Sequence, residues 1–422
     1  MSTFMALSLL LNFALWNLES QCSAHGQVPF RLTSASDTKS LALPNWIVHH
    51  AGPIAPFHQI GTYQSPPNGC KIVQVNHLQR HGSRYPTAQV HQTIHRALKK
   101  LKQSSHLDES LDFITDYQYH LGEDSLLPLG ALESFEAGVQ FASRYERLID
   151  RENLPFIRAS SSERVVDSAQ NFTSGLASWL EININPIEPL VISEDPDLCI
   201  FESIADEKLS RLCGIFEHVD WPGYGYYYDL DKYYNHGLGN RLGQAEGISY
   251  VAELIARLTG DRKWVEQDES KVNQTLDQSW ATFPLNQSSY VDFSHDNQMI
   301  SILAALGIQP HEPLPATGPP PPHKVWDVSK WMPFSSRLTI EKMQCDHRVN
   351  ELVRFVLNDM IIPIPSCNTS DQHPLLRGSP FICPLSQFIE SRRSLLGNSE
   401  NLHEQCSSTR RPLLYNLIGS KN

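Results

Sequence analysis

Two guanidiniums and an imidazole fall within five residues in Arg80-His81-Gly82-Ser83-Arg84, with Pro86 two places further on. Arginine offers phosphate oxygens a planar fork of donors, and neutral histidine is a nucleophile near neutral pH. Gly82 lets the backbone turn tightly beside them. A nucleophile flanked by such clamps is what phosphoryl transfer through a phosphohistidine needs, although an arginine-rich pentad alone is commonly a surface ion-pair cluster. His295-Asp296 sets a carboxylic acid beside an imidazole, able to protonate a leaving alkoxide. By itself that pair is more often a helix cap with a neighbouring histidine. Arg158, taken singly, reads as an ordinary ion-pair residue.

What binds these groups into one set is where the elements place them. Lys71–Leu78 is a β-branched run that predicts a strand ending at the first cluster. Pro155–Ser160 predicts a strand end carrying Arg158, and Tyr290–Phe293 a strand leading into His295-Asp296. Three strand ends that each supply charged or nucleophilic groups make coincidence a poor explanation. Helical periodicity follows each strand. Leu132, Phe135, Val139, Ala142 and Tyr145 share a stripe, as do Val165, Ala169, Phe172, Leu176 and Leu180, behind a capping-box spacing at Ser160 and Glu163. Ile248, Val251, Ile255 and Leu258 form another helix closed by Gly260, and Ile302, Leu303 and Leu306 a further one ending at Gly307. Gly318–Pro322 is a surface loop, and there is no internal repeat. Strands alternating with helices predict an α/β fold with functional loops at the carboxyl ends of the strands.

The chain has 422 residues, 41% hydrophobic and 19% charged, enough for a sizeable core. Its net charge of −12 argues against general affinity for nucleic acid or anionic membrane, but not against a small anion met by focused arginines. Mean hydropathy is −0.32, and no apolar run is long enough to span a bilayer. Residues 1–24 read as a secretory signal, with an apolar stretch from Phe4 to Trp16 and small residues at 23–24. Sequons at Asn171, Asn273, Asn286 and Asn368 agree with an extracellular glycoprotein. Residues 25–69 read as an irregular arm before the catalytic region at 70–422. Of eight cysteines, Cys22 would leave with the signal; the remaining seven are scattered, without metal-ligand spacing, as disulfides in an oxidising compartment are. His91 and His95 lie four residues apart with no third ligand in view, and read as a solvated helix face.

Several segments resemble the histidine acid phosphatases and, within them, the secreted fungal phytases. They are Val75–Thr87, Phe156–Ser160, Phe293–Asn297, Asp229–Tyr234, Leu242–Leu258, Pro333–Ser335 and Leu352–Asp359, and the resemblance runs from about Trp46 to Cys406. It implies a phosphoglycerate-mutase-like fold, a central sheet flanked by helices with a smaller helical cap contributed by about 90–150 and 195–245. It implies His81 as the nucleophile, Arg80, Arg84, Arg158 and His295 as clamps on the phosphate oxygens, and Asp296 as the proton donor, favouring an acidic working pH. No metal or other cofactor is implied, because arginines do what Mg²⁺ does elsewhere. The family pattern pairs Cys70 with Cys345, Cys199 with Cys406 and Cys367 with Cys383. Between Ile192 and Trp221 the chain is shorter than typical members, and the counterpart of Cys213 falls in the missing stretch.

The expected activity is secreted, stepwise hydrolysis of phytate, myo-inositol hexakisphosphate, by a monomer with no nucleic-acid or membrane partner. Lys99, Lys100 and Lys102 are candidate extra phosphate contacts, or simply a solvated helix face. Alternatives are a broad-specificity acid phosphatase with the same machinery, and a phosphate-binding glycoprotein that has lost turnover with part of its cap.

Overall fold

A computed structural model describes residues 43–104, 109–150, 152–181, 213, 217–240, 242–268, 276–345, 351–364, 367 and 381–398. Among them the strands are β1 (Cys70–Arg80), β2 (Phe156–Ala159), β3 (Ser289–Ser294), β4 (Arg337–Cys345), β5 (Leu352–Leu357), β6 (Met360–Ile362) and β7 (Cys383–Pro384). They form one mixed sheet in the order β2-β3-β1-β4-β5-β6, with β7 also on β5. The β2-β3-β1 half is parallel, and β1, β4 and β5 pair antiparallel. Arg80 stands opposite Ser294 and Ala159 opposite Phe293, so the three parallel strands end level. That register brings the segments following Arg80, Ala159 and Ser294 to one edge.

The longer helices are α1 (Ala88–Lys102), α2 (Pro128–Tyr145), α3 (Glu163–Leu180), α4 (Trp221–Asn235), α5 (Ile248–Thr259), α6 (Asp296–Ala305) and α7 (Leu385–Leu396). Alternation along β1 sends Val75 to one face and Leu78 to the other. On the first face α2 and α3 bury Phe141, Ala142, Val165, Ala169 and Phe172 against Ile157, Val291 and Phe293. On the second, α5, α6 and α7 bury Ile255, Ile300 and Phe388 against Leu338 and Phe355. Burying each such side chain contributes about 1.5–3 kcal/mol. Gly260 closes α5 in the left-handed conformation at φ +69°, and Gly307 follows α6 at +73°.

Three expectations need correction. The stretch 128–145, expected in the cap, lies on the sheet, because its apolar stripe completes the layer with α3. The capping box is not formed: α3 begins at Glu163 with Ser162 as N-cap and no capping side chain, and the Ser162 hydroxyl turns instead to His295 Nε2 at 3.3 Å. Residues 43–60, read as an irregular arm preceding the catalytic region, pack into it. Ile47, Ala51, Ile54 and Ala55 are buried, and Phe334 N–H donates to Ala55 O at 2.8 Å.

Disulfides join Cys70 to Cys345, opposite each other on β1 and β4, and Cys367 to Cys383. Cys213 is buried. Asn286 is exposed in the loop before β3, whereas Asn171 sits half-buried within α3 and donates to Asp167 O at 2.8 Å. The signal segment at 1–24, Cys199, Cys406, Asn273, Asn368 and nearly all of the shortened 192–221 stretch lie outside the described residues. No helix among the described residues is long and apolar enough to cross a membrane.

Candidate active site

His81 is the first residue beyond β1, and its ring is fully buried. The backbone there is held on both sides: His81 N–H donates to Ser294 O at 3.1 Å and His81 O accepts from Ser335 N–H at 3.0 Å. Gly82 N–H donates to Ser168 Oγ of α3 at 2.9 Å. Gly82 lies backbone-to-backbone against Gly130, so that a Cβ on either glycine would collide with the other segment's main chain.

The ring of His81 has a defined tautomer. Nδ1 lies 2.9 Å from Gly82 O, and a carbonyl can only accept, so Nδ1 carries the proton. The lone pair is therefore on Nε2, which is buried with no hydrogen-bond partner among the described residues. Burial, then the positive charges of Arg80, Arg84 and Arg164 and the neighbouring His295, push the His81 pKa well below 6.5. That direction favours the neutral imidazole, the form that can attack. His295, with its ring 5.4 Å away, is lowered to about 3, first by burial and then by Arg164, against the opposing pull of Asp296.

Arg80 is 1% exposed and stacks over the Phe334 ring at 4.6 Å. One of its nitrogens donates to Pro53 O and, at 2.9 Å, to Met332 O; the other lies 3.3 Å from Asp296 Oδ2. Arg84 donates to Tyr85 O at 2.9 Å. Asp296, the first residue of α6, is 2% exposed and also meets Lys232 of α4 at 3.1 Å. The same lysine donates to Asn297 Oδ1. Arg164 stands in the first turn of α3 and pairs with Asp124 at 3.3 Å. Two helix N-termini, those of α3 and α6, thus contribute residues to one cationic cluster, and helix N-termini favour anions.

Arg158 does not join this cluster. Its guanidinium is taken up by Asp292 at 2.6 Å and by Glu253, while Arg257 adds a second grip on both carboxylates. Burial alone would raise the Asp292 pKa, but Arg158 and Arg257 pull it below the usual carboxylate range. The arginine that acts on His81 from beyond β2 is Arg164, six residues later. Its signal in the sequence is the first turn of the helix after a strand, the same place that Asp296 occupies after β3. Lys232 also went unassigned, although it lies in the Asp229–Tyr234 segment. Lys99, Lys100 and Lys102 are exposed in the last turn of α1. His91 and His95 face each other on that helix, Nε2 to Nε2 2.9 Å, packed against Tyr119.

The model of the histidine phosphatase superfamily, branch 2, matches residues 71–186 and 182–358. Phytase A of Aspergillus awamori is 33% identical over 401 residues, covering 76% of this chain and 84% of its own. Phytase A of Arthroderma benhamiae is 33% identical over 378 residues, covering 72% and 81%. The crystal structure of the phytase from D. castellii superposes with a TM-score of 0.63 at 20% identity, covering 89% of this chain and 92% of that one. At that identity the likeness concerns the fold.

Proposed function

The chain belongs to the histidine phosphatase superfamily, branch 2, and is a phosphoric monoester hydrolase; on that premise we propose that it removes phosphate stepwise from phytate through a phosphohistidine on His81. The observation that carries the reading is the His81 ring itself: a neutral imidazole with Nδ1 tied to Gly82 O and Nε2 left as the nucleophilic lone pair among three arginines. Nε2 attacks phosphorus, the bond from phosphorus to the ester oxygen breaks, and Asp296 gives its proton to the departing alkoxide. Water then attacks the phosphohistidine and loses a proton to the Asp296 carboxylate, releasing inorganic phosphate and restoring His81.

Arg80, Arg84 and Arg164, with His295, would hold the non-bridging oxygens, where donors aimed at developing charge stabilise the transition state. Arg164 takes the place first expected for Arg158. Lys232, beside Asp296, adds a cation on the leaving-group side, where a polyphosphorylated alcohol would present its next phosphate. The curated relatives named Phytase A support phytate as the substrate. Export directed by residues 1–24 goes with this reading, as do the disulfides, which persist in oxidising compartments.

Turnover of phytate beside p-nitrophenyl phosphate at pH 5 tests it. Sequential phosphate release from phytate, at a higher kcat/KM than from the aryl ester, is expected. Hydrolysis of the aryl ester alone would make the chain a general acid phosphatase. Asp296→Asn should slow phytate by about 10²–10⁴-fold and p-nitrophenyl phosphate much less, since nitrophenolate hardly needs a proton. Equal losses on both would remove Asp296 from the role of acid.

A further inference from the structure

The loop carrying His81 is gripped by a carboxylate for which the scheme above has no role. Glu133, in α2, is 6% exposed. Its Oε2 accepts Ser83 N–H at 2.8 Å, and its Oε1 accepts Ser83 Oγ–H and Phe57 N–H, each at 2.9 Å. Arg337, a cation that acts on it, donates to the Glu133 backbone oxygen at 3.2 Å. Burial pushes the Glu133 pKa up, and the three donors oppose that shift. A carboxylate kept in such a place is expensive unless its hydrogen bonds are used.

Both segments it holds lead to the phosphate cluster. Ser83 lies between His81 and Arg84, and its carbonyl accepts Leu127 N–H at 2.9 Å, so both of its backbone polar groups are fixed by the start of α2. One turn before Glu133, Gly130 permits the close approach of helix and loop. Phe57 continues the segment whose Pro53 O accepts from Arg80. Phe57 also stacks under the Arg337 guanidinium at 3.9 Å.

We propose that Glu133 is a positioning residue for phosphoryl transfer, setting through Ser83 the spacing between His81 and Arg84, and through Phe57 the segment that steers Arg80. The inference rests on His81 being the nucleophile. A carboxylate is required because two of its three donors are backbone N–H groups that cannot reverse. A glutamine would turn its own NH₂ toward one of them.

The test measures kcat, KM and inhibition by inorganic phosphate for Glu133→Gln and Ser83→Ala, with His81→Ala run alongside. Glu133→Gln should lose about 10²-fold in kcat/KM, the scale of a misplacement of about 1 Å. Phosphate inhibition should weaken with it, while the ratio of phytate to p-nitrophenyl phosphate turnover stays as in the wild type. A purely structural role would lower the melting temperature without moving phosphate inhibition of the folded protein, and that result overturns the proposal. Ser83→Ala keeps the backbone bond and loses the hydroxyl one, so a smaller loss of the same kind is expected. If Glu133→Gln does not fold, unchanged phosphate inhibition in Ser83→Ala overturns it instead. Turnover surviving in His81→Ala would sink the reading of the site itself. A dead His81→Ala with a wild-type Glu133→Gln would sink only the positioning role.

Discussion

Two clusters of arginines and carboxylates sit along the same parallel strands, and they differ in what their arginines face. In the first, Arg158 and Arg257 meet Asp292 and Glu253, with Tyr250 OH donating to Asp292 at 3.2 Å and the Asp277 carboxyl, pushed up to about 7 by burial and by Glu253, hydrogen-bonded to Glu253. In the second, at the strand ends, the ion pairs among the described residues set Arg80 and Lys232 on Asp296 and Arg164 on Asp124, with Arg84 beside them. Three cations there meet two carboxylates among the described residues. A closed cluster leaves little electrostatic work for a ligand. The second is open in a different sense: Arg80, Arg84 and Arg164 all bear on a buried neutral imidazole, an arrangement that suits an arriving anion.

The comparison breaks most visibly if Arg158 is not structural. Arg158→Ala leaves Asp292 and Glu253 with Arg257 alone, and removing one partner of a buried pair costs about 3–5 kcal/mol. A large drop in the urea midpoint is expected, with phosphate inhibition of the remaining folded enzyme unchanged. Weakened phosphate inhibition at wild-type stability would return Arg158 to the site. Arg164→Ala should behave in the opposite way, losing about 10²–10³-fold in kcat, the usual cost of one transition-state donor, with little change in the midpoint. Loss of stability without loss of turnover would contradict it.

The clusters also differ in pH dependence. His295 in the open cluster and His77 in the interior beneath it both have pKa values lowered to about 3, burial being the first cause in each. As pH falls below 6.5, the unfolded chain takes up protons that the folded chain refuses. Each histidine therefore contributes a decline from pH 6.5 toward 3 of up to about 1.4 kcal/mol per pH unit. Asp277 and Asp229, raised to about 7 and about 6, contribute in the opposite direction. Asp292 in the closed cluster is held ionised below the usual range and adds nothing to that slope down to about pH 5. Urea midpoints at pH 6.5 and 5 should fall less, or rise more, in His77→Gln than in the wild type. The same pH dependence in both would contradict a buried neutral His77.

The sequence was most legible where chemistry and element ends coincide. Arg80, His81 and Arg84 are contiguous with a β-branched run, and His295-Asp296 directly follows another, so the strand register alone brings them together. Arg158 misled because it too stands at a strand end. Which face its side chain takes, and that Asp292 and Glu253 wait there, depends on pairing that no local pattern encodes. Arg164 was hidden by its place in an amphipathic helix, where a charged residue in the first turn is ordinary. The role of residues 43–60 was hidden because part of it is made by the backbone, as when Pro53 O accepts from Arg80. Glu133 reads as one more polar position on a helix until Ser83 and Phe57 are seen against it.

The central claim is that the open cluster holds a nucleophile that becomes covalently phosphorylated. Rapid alkaline quench of the enzyme with ³²P-labelled substrate, followed by peptide mapping at alkaline pH, tests this most directly. The account predicts label on His81 that is stable in alkali and lost in acid, and none in His81→Ala. Label retained in that variant, or wild-type turnover without any trapped phosphohistidine, would contradict it.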